Sequence, residues 1–139
     1  MTVTISETRD LATCLAIRRI VFTLGQGVSP EDEVDGRDPE ALHLLAHRNL
    51  VPVGTARMLI DGGTGKIGRV AVLAEARGEG LGRALVLAAL DVLRREGCTR
   101  AVLGSQTHAM GFYERLGFRA FGEQYLDAGI AHRDMERSL

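Results

Sequence analysis

Almost no net charge, no long apolar run and no paired cysteine motif: the sequence is defined first by what it lacks. Its 139 residues carry 17 basic and 18 acidic side chains, a formal net charge of −1. That balance gives no electrostatic footprint for nucleic acid or an anionic membrane surface. The opening "MTVTISETRD" has neither a basic segment nor an apolar core, so no secretory leader is expected there. No stretch approaches the roughly 20 apolar residues of a membrane span. Cys14 and Cys98 stand alone without CxxC spacing, and read as buried, reduced thiols of a cytoplasmic protein. His43 and His47 lack zinc-ligand spacing on a strand, and no HExxH glutamate accompanies them, so no metal is expected.

What is present is an ordinary globular balance: 45% apolar and 25% charged residues in a chain of one-domain length, 1–139. "TVTIS" alternates and predicts a first strand. Leu11, Leu15, Arg18 and Phe22 recur at helical spacing and predict a helix over Arg9–Thr23. Gly25–Glu40 is rich in Gly, Pro and Asp and reads as a long functional loop with room for one helical turn. Three antiparallel strands follow: "ALHLLAHR", "PVGTARMLI" and "KIGRVAVL", the last two joined through "DGGTG". A helix over Leu81–Glu96 ends at Gly97. Then come the strand "AVLGSQ", the short helix "AMGFYERLG", and the pair "FRAFGEQYL" and "IAHRDMERS". The expected fold is α/β: a mixed, mostly antiparallel twisted sheet of about six to seven strands with about four helices, ordered β-α-(loop/α)-βββ-α-β-α-ββ. A parallel crossover runs through the long helix.

"ARGEGLGRAL" stands at the mouth of that helix, with Gly78, Gly80 and Gly82 alternating between Arg77 and Arg83. A first helical turn exposes N–H groups without internal partners, and the helix dipole adds positive charge. Glycines let an anion approach this backbone, so strand, glycine loop and helix together make a phosphate cradle. The dinucleotide fingerprint GxGxxG fails, because its last glycine falls on Arg83 or Leu85. The GxxxxGK[ST] loop fails too, since the one Gly-Lys pair, Gly65-Lys66, is followed by Ile67.

The pattern R/Q-x-x-G-x-G/A does fit, as Arg77-Gly78-Glu79-Gly80-Leu81-Gly82. It resembles the pyrophosphate loop of the GNAT superfamily of acetyl-CoA-dependent N-acetyltransferases. "AMGFYERLGF" is similar to the GNAT helix ending A-x-x-F-Y-x-x-x-G-F. "IRRIVFTLGQGVSPEDEVDGRD" and "GEQYLDAGIAHRDM" extend the resemblance, over nearly the whole chain, to small bacterial single-domain proteins of the ElaA/YjcF type. Where those relatives often carry Glu-Gln-Gly-Val, this chain has Gly25 in place of the glutamate.

The resemblance implies that acetyl-CoA is a cosubstrate and that a primary amine attacks the thioester directly in a ternary complex. It places the pantetheine along Val70, Ala71 and Val72, with the Val72 N–H near the developing oxyanion. The pyrophosphate falls on Arg77, Gly78, Glu79, Gly80, Leu81, Gly82 and Arg83, with Ala109 and Phe112 nearby. Tyr113 matches the tyrosine that protonates the leaving thiolate. A phenol of pKa ~10 facing a thiol of ~8.5 is uphill by roughly 2 kcal/mol, which suits hydrogen-bond donation to the forming thiolate. An amine of pKa ~10.4 costs about 4 kcal/mol to neutralise near pH 7.5. Some GNAT enzymes place a glutamate on the strand before the loop, where this chain has Gly68 and Arg69. The base is therefore sought among His43, Glu33, Asp35 and His132. Glu31, Asp32, Glu33, Asp35 and Asp38 form an acidic cluster that either attracts a cationic small-molecule amine or is a solvated loop. A second reading, an acyl-CoA-binding regulatory or interaction module without turnover, is favoured by the missing strand glutamate. Nothing in the sequence chooses between monomer and homodimer.

Overall fold

The computed structural model describes residues 2–139. Strand β1 (Val3–Thr8) leads to helix α1 (Leu11–Arg18), capped by Asp10, whose carboxylate accepts from the Thr13 N–H at 3.2 Å. The expected helix to Thr23 does not stay α-helical. From Arg19 to Leu24 it widens into a π-helical segment, a form common at functional sites. The loop beyond holds helix α2 (Pro30–Glu33), with Ser29 as N-cap and Pro30 at its first position, and a 3₁₀ turn at Asp38–Glu40.

Strands β2 (Leu42–Arg48), β3 (Val51–Asp61) and β4 (Thr64–Val72) form an antiparallel meander. Helix α3 (Leu81–Arg95) crosses to β5 (Arg100–Gln106), which runs parallel to β4. Helix α4 (Met110–Glu114) precedes the hairpin β6 (Arg119–Asp127) and β7 (Ile130–Ser138). The seven strands lie in the order β1-β2-β3-β4-β5-β7-β6, so β7 inserts between β5 and β6.

The sheet separates two apolar layers. On one side α3 buries Leu85, Val86, Ala89, Leu90 and Leu93 against Leu44, Met58, Ile67 and Leu103, and α4 joins this layer through Phe112 and Tyr113. On the other side α1 and the π segment bury Cys14, Ile17 and Val21 against Leu45 and Ala71. Among the described residues, no helix is long and apolar enough to cross a membrane.

Candidate active site

The decisive feature of the sheet is where two strands part. β4 and β5 pair only through Thr64, Gly65 and Lys66 against Arg100, Ala101 and Val102. From Ile67 and Leu103 onward each keeps only its outer neighbour, β3 or β7. The Leu73 N–H donates to Val53 O on the β3 side at 2.8 Å. Strand backbone groups alternate sides, so those of Val72 turn toward β5, where Val72 O accepts from Arg77 Nε at 3.0 Å. A cleft of about 700 Å³ runs through this gap. Val70, Ala71 and Val72 line it from β4, and Ala109 and Tyr113 from the α4 side. Val21, Phe22 and Gln26 line it from the π segment and the turn after it.

Of the glycine loop, Arg77 lines the cleft, and residues 78–83 follow it outside the lining. Gly78 and Gly80 have φ of +80° and +78°, a conformation that side-chain-bearing residues adopt only under strain. Gly80 is the N-cap of α3 and no side chain caps that helix. The first intrahelical bond is Ala84 N–H to Gly80 O, so the N–H groups of Leu81, Gly82 and Arg83 have no helical partner. The Leu81 side chain is core, and Arg83 is exposed on the first turn. The Glu79 carboxylate is held by Arg48, which also donates to Glu75 O at 3.1 Å, so Arg48 anchors the loop to β2. The face of Gly82 meets Phe112, whose ring packs edge-on against Tyr113 with centroids 4.9 Å apart. Tyr113 also meets Phe118 edge-on at 6.0 Å. Burial pushes the Tyr113 phenol up from its ordinary pKa, which keeps the hydroxyl protonated across the neutral range.

Neither His43 nor Glu33, both expected as bases, is free for that role. His43 is buried outside the cleft lining; its Nε2–H donates to Asp38 O at 3.0 Å, and its Nδ1 is buried without a partner. Glu33 borders the cleft but is only 4% exposed, and its carboxylate is clasped by the Arg18 guanidinium through Nε and, at 3.2 Å, Nη2. The acidic cluster divides: Glu33, Asp35 and Asp38 are paired with arginines, and only Glu31 and Asp32 remain as solvated surface. Arg18 also binds Asp38 at 2.7 Å, Arg57 binds Asp35 at 2.8 Å and Asp38 at 3.2 Å, and Arg69 reaches Asp35 at 3.5 Å. Three carboxylates are thus matched by three guanidiniums, while Glu31 and Asp32 stay exposed. Hydrogen bonding from Arg57 holds the Asp35 carboxyl well below the usual carboxylate range. For Asp38, burial acts upward, but Arg18 and Arg57 outweigh it and the net shift is downward.

Sequence reasoning missed these arginines. Their signal was an arginine on the apolar stripe of a helix, Arg18, and another inside an apolar strand run, Arg57. A cation at such a position needs buried carboxylates nearby. Arg69 stands at a bulge in β4 with φ of +51°, and its guanidinium donates to Glu33 O at 2.9 Å. Arg69 thus ties the loop to the sheet. Among the described residues, no group of three or more His, Cys, Asp or Glu is arranged to hold a metal ion.

The profile of the acetyltransferase (GNAT) domain family matches residues 26–139. The chain belongs to the GNAT family. This GNAT chain is 34% identical to the uncharacterized N-acetyltransferase YjcF of Bacillus subtilis over 120 residues, 86% of each protein. An acyl-CoA N-acyltransferase from Pseudomonas aeruginosa is 33% identical and superposes with a TM-score of 0.87, over 98% of this GNAT chain and 99% of the other. Escherichia coli ElaA, 28% identical, gives 0.84 over 98% and 99%. The ElaA/YjcF resemblance read from the sequence is therefore borne out, and so is the α/β fold.

Proposed function

We propose that the protein transfers an acetyl group from acetyl-CoA to the nitrogen of a small primary amine in a ternary complex. The observation that carries this is the parting of β4 from β5 beside an uncapped, glycine-fronted helix, with Tyr113 in the same cleft. The pyrophosphate sits on the N–H groups of Gly80, Leu81, Gly82 and Arg83, where helix dipole and absent side chains favour an anion. Arg77 and Arg83 add charge-assisted contacts. The pantetheine arm pairs with the β5-facing backbone of Val70 and Val72 as a short extra strand would. The thioester carbonyl then lies near the Val72 N–H, a donor already fixed before charge develops. Tyr113, kept protonated by burial, donates to the sulfur as the C–S bond breaks. The acceptor enters from the α1 side of the sheet, between the π segment and the β6–β7 hairpin.

Thiol release from acetyl-CoA in the presence of lysine, glucosamine or spermidine tests the reading. Amine-dependent release with formation of the N-acetyl product is expected. Saturable acetyl-CoA binding without release on any amine would refute turnover and leave a binding module.

A further inference from the structure

Resting on the transferase reading, we infer that His132 is the general base that takes the acceptor's proton. Leu103 and Met135 lie in the α3-side core, so the alternate residues Gly104, Gln106, His132 and Asp134 face the α1 side. Gln106, His132 and Tyr125 stand in register across β5, β7 and β6, forming one row at the acceptor end of the cleft.

The row fixes the imidazole. A carbonyl oxygen only accepts, so the 2.7 Å contact between His132 Nδ1 and Ile130 O places the proton on Nδ1. In the neutral ring the lone pair is then on Nε2, which has no hydrogen-bond partner among the described residues. The ring stacks on Tyr125, with centroids 5.9 Å apart and planes 22° from parallel. Tyr125 is pinned in turn. Its hydroxyl donates to Asp134 Oδ1 at 2.7 Å and lies over Gly104, where a Cβ would come within 2.5 Å of it. An orienting bond, a stacking platform and a bare ring nitrogen on a rigid strand are what a base needs. Glu33 and Asp35 have their carboxylates spent on arginines, and His108 is exposed with its ring bonded to Gln106 at 2.7 Å. The titratable groups around the row are Tyr125, Asp134, Asp127 and His108.

In the step, the neutral amine's lone pair forms the C–N bond at the thioester carbonyl carbon. The surplus N–H proton passes to His132 Nε2. The C–S bond breaks and the sulfur takes the Tyr113 hydroxyl proton. His132 returns its proton to solvent and Tyr113 regains one, so the net change is one proton moved from nitrogen to sulfur.

The test measures amine-dependent thiol release and acetyl-CoA affinity for the unaltered chain, His132→Gln and His132→Ala, after checking that the variants melt cooperatively. His132→Gln is expected to lose roughly 10²-fold in kcat/KM, with acetyl-CoA affinity unchanged. His132→Ala is expected to regain activity with added imidazoles, in the order of their basicity, which a packing role would not produce. Long-range ¹H–¹⁵N spectra of the unaltered protein should show the Nδ1–H tautomer. An Nε2–H tautomer, a His132→Gln within threefold of the unaltered chain, or a loss that no added base restores overturns the assignment. An unaltered chain that binds acetyl-CoA yet releases no thiol is a different failure, that of the transferase reading, and the base role falls with it.

Discussion

Gly82→Val separates the fold from the ligand site, because the pattern R/Q-x-x-G-x-G/A has room for a single methyl at this position but not for a branched side chain. Gly82 is the second residue of α3, and its φ is not in the left-handed region. A Cβ there would meet Phe112 Cζ at 3.6 Å, an ordinary van der Waals contact. Valine and glycine differ by only a few tenths of a kcal/mol in helix propensity, so stability should change by no more than about 0.5 kcal/mol. The melting temperature should stay within about 2 °C of the parent's. In the proposed complex the branched side chain stands beside the first-turn N–H groups that the pyrophosphate would have to reach. Losing one or two charge-assisted hydrogen bonds at about 1.5–3 kcal/mol each weakens acetyl-CoA by at least tenfold, the equivalent of about 1.4 kcal/mol. Gly80→Ala is a poorer probe, because φ of +78° adds a strain of about 1–2 kcal/mol and confuses folding with binding.

Calorimetric titration with acetyl-CoA beside a thermal melt reads both effects. Acetyl-pantetheine supplies the control, since it keeps the thioester and lacks the pyrophosphate. Its kcat/KM should be the same for both proteins, while that of acetyl-CoA falls. A variant that melts like the parent and binds acetyl-CoA as tightly would refute the phosphate cradle.

Three further outcomes follow from the same geometry. Tyr113→Phe keeps the ring contacts to Phe112 and Phe118 and should lower kcat by roughly 10²-fold with acetyl-CoA affinity nearly unchanged, read by steady-state kinetics and titration; lower affinity with kcat preserved would make Tyr113 a binding residue. Arg18→Met leaves Glu33 and Asp38 buried without their cation and should destabilise by about 3–5 kcal/mol in urea unfolding, and adding Glu33→Gln should return part of that; an additive or larger loss in the double variant would show the pair is not coupled. Asp35 and Asp38 titrate below their unfolded value of about 3.9, so their stabilisation is complete above that pH, begins to fall there and is lost as pH drops on through their lower folded values, which unfolding midpoints from pH 6 to 2 should show as a steepening acid limb; removing the Arg57 cation as Arg57→Met should flatten that limb.

The sequence was most legible where one local rule governs an element. The last strand expected, "IAHRDMERS", matches β7 at both ends, because the turn at Ala128 and Gly129, both at positive φ, sets its start and it pairs along its length with β5 and, at both ends, with β6. Helix α3 ends one residue earlier than the periodicity suggested. The glycine loop was legible because its conformation is a property of glycine itself. Legibility failed where a tertiary partner decides. The stripe over Leu11, Leu15, Arg18 and Phe22 is continuous, yet the helix changes to π winding after Arg18. That residue sits at the change, and its guanidinium is bound to Glu33 and Asp38, 15 and 20 residues further along the chain. Likewise, His43 and His132 are equivalent by residue type. Only the strand pairing shows that one is buried beneath the loop and the other stands beside the cleft.

The arginine–carboxylate network also explains how an acceptor wall can be built from a segment with little regular structure. Residues 27–41 hold only one turn of α-helix and one 3₁₀ turn, too short to stand alone. Their apolar content cannot anchor them either, since Val34 is exposed. What holds the segment is charge: Arg18 from α1, Arg57 from β3 and Arg69 from β4 converge on Glu33, Asp35 and Asp38 and on the Glu33 carbonyl. Three elements of the rigid layer thereby fix one wall of the cleft from below. A buried network of this kind contributes less net stability than apolar packing of the same volume, but it is intolerant of a missing member. The wall therefore holds its shape while it stays paired. The chemical groups left free to act on an acceptor then lie across the gap, on β5, β7 and α4.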